Sequence, residues 1–187
     1  MFELSKFNEY REDNRREVKK ARKGLPESLW STYSAFANCY GGVIILGVEE
    51  KEDGRWHTTG LQGEGKLLSD FWNNVNNPQR ISHNLLTEKD IQTYRIGQDV
   101  IIVIYVPEAK REQKPVYTGG DMFRGTYRRN GEGDYHCTLD EVKAMLRDQT
   151  EDTMDMKALE YMQMDALNLE TVHACSLRYA ICRFRYA

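Results

Sequence analysis

The chain has 187 residues, of which 40% are hydrophobic and 29% are charged, and its net charge is −3. This composition excludes a disordered, collagen-like or membrane protein, and the overall charge is not that of a strongly basic nucleic-acid binder. The first 20 residues have no apolar signal-peptide core, so we expect a cytoplasmic protein with no membrane partner. Four cysteines at 39, 137, 175 and 182 lack the paired spacing of a zinc finger or a disulfide framework.

The first half of the chain predicts a strand, two helices and a buried strand between them. A short strand is expected near Arg16–Lys20. Pro26 opens a helix with apolar residues at helical spacing, and a Gly-Gly pair ends it. The β-branched run Val43–Val48 follows at once and is typical of a strand buried on both faces. Residues 64–77 predict the second helix.

The second half predicts a hairpin, a further strand and a capped helix. Ile91–Ile96 and Val100–Val106 flank a Gly-Gln-Asp turn and predict a β-hairpin. Residues Met122–Arg128 alternate and predict another strand. Thr138 and Glu141 form a capping box that opens a helix. Because strands and helices do not alternate strictly, the fold class is α+β, with a single mixed or mostly antiparallel sheet and packed helices.

An acidic, turn-like stretch at residues 148–156 predicts a domain boundary. We expect one domain over residues 1–148, followed by a linker and a short helical tail over 149–187. Short helices are expected near residues 155–163 and 170–180.

Basic residues form two clusters that could contact phosphates through electrostatics and counterion release. Acidic residues interleave with the first cluster, so an ordinary solvated surface explains it equally well. The candidate nucleic-acid-binding residues are Lys19, Lys20, Arg22, Lys23, Arg124, Arg128 and Arg129.

Two further patterns have competing interpretations. Gly60, Gly65 and Lys66 fit a P-loop, but Leu67 stands where a hydroxyl should hold magnesium, so a surface loop at a helix start is favoured. Several acids, among them Glu12, Glu17 and Glu49 or Glu50, could hold a divalent metal for phosphodiester hydrolysis if they converged. Spacing alone favours ordinary surface acids, and we assign no metal site from it.

One string of residues resembles a known family. Residues 35–49, with the sequence AFANCYGGVIILGVE, are similar to the Schlafen AlbA-type DNA-binding domain, which is common in bacterial transcriptional regulators and helicase-related proteins. Glu17-Val18-Lys19 resembles the upstream Glu-Phe-Lys element of that family. Residues 115–117 and 125–131 resemble its later strands, so the resemblance covers roughly residues 9–148.

This resemblance implies an α+β domain that binds nucleic acid, DNA more than RNA. In animal Schlafens, similar domains form a nuclease core with three acidic residues, which match Glu12, Glu17 and Glu50 here. The family has Asp at the third position, and Glu50 is longer by one methylene group. Similar proteins usually continue into an ATPase-like module, so the chain is expected to be a truncated member or a fragment of a larger regulator.

Three functional hypotheses follow. The leading one is a non-enzymatic DNA-binding module of a transcriptional regulator, without a cofactor and with a homodimer as a possible assembly. The second is a metal-dependent endoribonuclease that uses Glu12, Glu17 and Glu50 with Mn²⁺ or Mg²⁺. The third is a protein-interaction domain, suggested by the acidic tail.

Overall fold

A computed structural model describes residue 2 and residues 4–149 of the chain. Within them the strands are β1 Arg16–Lys19, β2 Gly42–Leu46, β3 Val48–Glu50, β4 Trp56–Thr58, β5 Ile91–Ile96, β6 Asp99–Val106, β7 Tyr127–Asn130 and β8 Gly133–His136. The helices are α1 Ser28–Asn38, α2 Glu64–Val75, α3 Met122–Gly125 and α4 Leu139–Asp148. Three short 3-10 helices lie at Leu4–Glu9, Glu88–Asp90 and Arg111–Gln113.

The centre of the fold is a four-stranded sheet in the order β1-β2-β6-β5. β1 is parallel to β2, whereas β2, β6 and β5 pair antiparallel, so the sheet is mixed. Two small antiparallel pairs, β3 with β4 and β7 with β8, complete the strands of this region. The predicted α+β class is confirmed, but the described strands form three sheets instead of a single sheet.

One face of the central sheet packs against α1 and α2. Ile44 and Leu46 of β2 point to this side and are fully buried together with Phe36 of α1. Phe36 lies so close to β2 that a Cβ on Gly42 would be 2.6 Å from its ring. Alternate residues of β2 therefore supply the contact between the sheet and α1.

The other face of the sheet packs against the N-terminal segment. Phe2 and Phe7 are buried there with Ile45, Ile101 and Trp56. Strand β2 is consequently buried on both faces, which explains its unbroken run of apolar residues.

Several local predictions can be compared with this arrangement. The strand near Arg16–Lys20, both predicted helices of the first half, the β5–β6 hairpin and the Thr138 capping box are confirmed. The predicted strand over Met122–Arg128 is wrong, because Asp121 caps the backbone N–H groups of Phe123 and Arg124 and begins the short helix α3. The chain enters a strand only at Tyr127.

The chain divides into two units, residues 1–151 and 152–187. The predicted tail helices lie outside the described residues. Among residues 2 and 4–149, no helix has the length and apolar character that a membrane span requires.

Candidate nucleic-acid interface

Three cations meet at an open cavity beside the start of α2, which we call the α2 basic pocket. Arg22 and Lys23 reach it from the loop after β1, and Lys66 reaches it from the first turn of α2. The pocket has a volume of about 250 Å³, and Asp70 is the carboxylate on its wall. All three cationic side chains are exposed, and none forms an ion pair with a described residue.

The start of α2 adds backbone donors to this pocket. Gly63 occupies the N-cap position with φ +70° and provides no side-chain cap. The first N–H groups of the helix therefore have no side-chain acceptor, and these groups are favourable for anions. The prediction of a surface loop at a helix start is confirmed, and Lys66 joins the predicted cations Arg22 and Lys23 through tertiary structure.

Lys19 and Lys20, also predicted to contact phosphate, are engaged by carboxylates. The Lys19 ammonium lies 2.5 Å from Glu17, and its side chain is only 16% exposed. Lys20 is more exposed but pairs with Glu49. Hydrogen bonds from Lys20 and Lys51 lower the pKa of Glu49 to about 2. Both lysines are thus less available to a phosphate than Arg22 and Lys23.

Arg124 and Arg128 lie away from the α2 basic pocket and have acidic partners. Arg124 is highly exposed, with its Nε 3.6 Å from Asp121. Arg128 is half-buried, with its Nε 3.1 Å from Glu141. Arg124 and Arg128 therefore each have a carboxylate neighbour that competes with a phosphate.

Arg129 requires a correction, because its side chain is only 1% exposed. Its guanidinium lies 2.8 Å from Glu17 and 2.9 Å from Asp134, and it also donates to the backbone oxygen of Asp13. Burial lowers the pKa of Arg129, but the hydrogen bonds and charges of Asp134 and Glu17 raise it above its ordinary value. Arg129 tethers β7 to β1, and it cannot reach a phosphate at the surface.

The three acids that the resemblance singled out lie near enough for the charges of Glu17 and Glu50 to act on Glu12. The backbone N–H of Glu12 donates to Oε2 of Glu50 at 2.8 Å, and the carboxylate of Glu12 accepts from the backbone of Val18 at 2.9 Å. Trp56 also donates to Oε2 of Glu50, at 2.7 Å. Glu17 pairs with Lys19 and Arg129. Each of the three carboxylates therefore accepts hydrogen bonds from the protein itself.

The electrostatics of Glu12 reflect this convergence. Burial raises the pKa of the Glu12 carboxyl, the Val18 hydrogen bond lowers it, and the charges of Glu17 and Glu50 raise it further. Yet no three acidic, histidine or cysteine side chains among residues 2 and 4–149 are arranged to hold a metal ion. As they are arranged, the carboxylates of Glu12, Glu17 and Glu50 do not fit Mn²⁺ or Mg²⁺.

Two residues that the site predictions omitted line a second cavity of about 630 Å³, which we call the Tyr40 groove. Arg15 directly precedes strand β1, and Tyr40 lies between Asn38 and the Gly41-Gly42 pair that follows α1. Their sequence separation gives no sign that they meet. The guanidinium carbon of Arg15 lies 5.7 Å from the centre of the Tyr40 ring.

The fold and these surfaces define a small α+β domain with a mixed sheet, two helices on one face and separate basic and aromatic surface sites. The chain belongs to the family described as "Schlafen, AlbA_2", whose model matches residues 5–138.

Two solved structures are similar to this chain. The solution structure of the N-terminal domain of a RecG-related ATP-dependent DNA helicase protein from Nitrosomonas europaea is 28% identical, with a TM-score of 0.47, over 67% of this chain and 82% of that one. The crystal structure of the DIP2311 protein from Corynebacterium diphtheriae is 21% identical, with a TM-score of 0.46, over 74% of this chain and 24% of that one. A comparison with curated proteins found no match.

Proposed function

We propose that this domain is a nucleic-acid-binding module that holds the phosphate backbone of DNA in the α2 basic pocket. The observation that carries the proposal is the meeting of Arg22, Lys23 and Lys66 around one open cavity without ion-pair partners among the described residues. Unpaired, exposed cations can neutralise phosphates and release counterions, whereas cations already paired to carboxylates gain less.

The family assignment supports the same function, since the resemblance of residues 35–49 implies nucleic-acid binding. Backbone contacts carry no sequence information, so the pocket supplies affinity with low specificity. We further propose that the domain acts in transcriptional regulation in the cytoplasm, as a homodimer and without a cofactor.

The α2 basic pocket is tested by salt-dependent binding of a blunt DNA duplex to the full chain. Replacing Arg22, Lys23 and Lys66 by Ala should weaken binding to every sequence about equally, and the slope of log K against log salt should fall by roughly one for each lost contact. Lys143→Ala is the matched control, because Lys143 is an exposed cation of α4 outside the pocket.

An unchanged affinity and slope in the triple variant would refute the pocket as the binding surface. Duplex RNA of the same length tests the preference for DNA, and a chelator in the buffer tests the independence from metal. Light scattering on the free chain and on the complex tests the homodimer.

A metal-dependent endoribonuclease is the second candidate, favoured by the convergence of Glu12, Glu17 and Glu50. Binding is better supported than cleavage, because these carboxylates are held by protein donors and do not fit a metal as arranged. Incubation of structured RNA with Mn²⁺ separates the two functions: cleavage by the parent that Glu17→Gln abolishes would establish the nuclease.

A further inference from the structure

The Tyr40 groove opens between the N-terminal segment and the ends of β2 and β6. Phe2 and Tyr10 line it from the N-terminal segment, Val43 from β2, and Tyr105 from β6. Its volume of about 630 Å³ is within the range of small-ligand sites in proteins. The groove is a separate cavity from the α2 basic pocket and shares none of its lining residues.

The backbone fixes the position of Tyr40 beside Arg15. The N–H of Val43 donates to the carbonyl oxygen of Arg15 at 2.8 Å, at the point where β2 begins to pair with β1. Gly41 has φ +68°, and a Cβ there would be 2.8 Å from the carbonyl oxygen of Val106. Glycine is favoured at this close turn after α1, and Tyr40, which precedes it and lines the groove, is 64% exposed.

Arg15 is an exposed cation at this site. Its guanidinium carbon lies 5.7 Å from the centre of the Tyr40 ring, and its side chain forms no ion pair with a described residue. The neighbouring Arg16 contrasts with it, since Arg16 pairs with Asp13 at 2.9 Å and lies over the Tyr10 ring. A guanidinium in a cation–π contact keeps its N–H groups as donors, and their fork matches the oxygens of a phosphate.

Further aromatic rings and two carboxylates line the groove. The rings of Phe2 and Tyr10 stack on each other at 5.3 Å. The carboxylate of Asp90 accepts hydrogen bonds from Thr87, and that of Glu108 pairs with Lys114. The groove therefore offers the exposed Tyr40 ring to a base and the Arg15 cation to a phosphate.

We propose that the Tyr40 groove binds an unpaired nucleotide of a single-stranded nucleic acid, with the base stacked on Tyr40 and a phosphate held by Arg15. This inference rests on the proposed nucleic-acid binding and names the form of strand that the second cavity takes. Bases stack readily on exposed aromatic rings in single-strand binders. A base inside a duplex is already stacked on its neighbours, so a duplex cannot use the groove.

Fluorescence anisotropy with the full chain tests this inference, with a labelled ten-nucleotide oligo(dT), its oligo(U) counterpart and a blunt duplex as probes. Tyr40→Ala should weaken binding of the single strands by about 5- to 150-fold, the range for loss of one stacked base. Tyr40→Phe retains the ring and should stay within about twofold of the parent. Tyr135→Ala is the control, because Tyr135 is also an exposed tyrosine, at 54%, and does not line the groove.

The outcomes separate this inference from the proposed function. Loss of single-strand affinity in Tyr40→Ala, with duplex affinity unchanged, supports the nucleotide site. Single-strand affinity unchanged in Tyr40→Ala, with duplex binding that still depends on Lys66, overturns the nucleotide site alone. A parent chain that binds neither single strands nor duplex overturns both proposals. Because Tyr40 is exposed, the variant should fold, and its thermal melt should match the parent within a few degrees.

Discussion

Replacing the buried Arg129 tests whether this residue stabilises the fold or contacts a ligand. Arg129→Ala removes a guanidinium that is 1% exposed and that lies 2.8 Å from Glu17 and 2.9 Å from Asp134. Both carboxylates remain nearly buried, at 12% and 13% exposure. Removing one partner of a buried ion pair costs about 3–5 kcal/mol, because the remaining charge keeps its desolvation penalty.

The remaining contacts place the expected cost at the lower end of that range. Glu17 keeps the Lys19 ammonium at 2.5 Å, and Asp134 keeps the hydroxyl of Thr32 at 2.6 Å. We therefore expect Arg129→Ala to lower the free energy of unfolding by about 3 kcal/mol. For a domain of this size the melting temperature should fall by roughly 10 °C. Urea denaturation followed by circular dichroism measures the loss.

The neighbouring Arg128 supplies a matched control. Its side chain is 38% exposed, and its partner Glu141 is 39% exposed, so Arg128→Ala should cost under about 1 kcal/mol. Arg129→Lys retains a charge but cannot form two forked contacts, and an intermediate loss is expected. A structural role for Arg129 is refuted if the free energy of unfolding of Arg129→Ala stays within about 1 kcal/mol of the parent while its affinity for DNA falls. That result is expected for a cation at the surface.

Two more substitutions test the core and the acidic cluster. Phe36→Ala should lower the free energy of unfolding by about 3–5 kcal/mol in urea denaturation, because Phe36 is fully buried between α1 and β2. Burial and the charges of Glu17 and Glu50 raise the pKa of Glu12 above its ordinary value of 4.5. The contribution of Glu12 to stability is therefore full below that pH and is lost as pH rises through the folded-state pKa. Glu12→Gln should therefore melt above the parent at pH 7, and the difference should shrink toward about pH 4, as thermal melts across pH would record.

Each of the two substitutions has an outcome that would contradict the prediction. A Phe36→Ala melting temperature close to that of the parent would show that α1 does not pack on β2 through this ring. A Glu12→Gln variant less stable than the parent at pH 7 would show that the Val18 hydrogen bond outweighs the combined effect of burial and repulsion.

Local sequence signals predicted much of the fold because local contacts determine those elements. The Thr138–Glu141 capping box depends on two residues three apart, and its hydrogen bonds form within one turn. The β5–β6 hairpin depends on two apolar runs and a short turn. The wrong prediction at Met122–Arg128 also has a local cause. The side chain of Asp121 caps the following turn, and this cap outweighs the alternation of a few residues.

The candidate site was predictable only in part. Arg22 and Lys23 were identified from charge, but Arg128 and Arg129 have the same charge and adjacent positions. Successive residues of a strand point to opposite faces, so one of this pair is buried and the other reaches the surface. Which of the two is buried depends on Asp134, which lies opposite Arg129 in the β7–β8 pair, and on Glu17 of β1, which only tertiary packing brings to β7.

The sequence by itself determined helices α1, α2 and α4, the buried strand β2, the family and the chemical types available at the surface. These features follow from composition, periodicity and a contiguous string of residues. Only the tertiary structure decided which charges are paired and which are exposed. Lys66 joins Arg22 because α2 starts beside the loop after β1, and Tyr40 meets Arg15 because β2 runs parallel to β1. Such pairings join residues 25 or more positions apart, and a pattern confined to neighbouring residues carries no information about them.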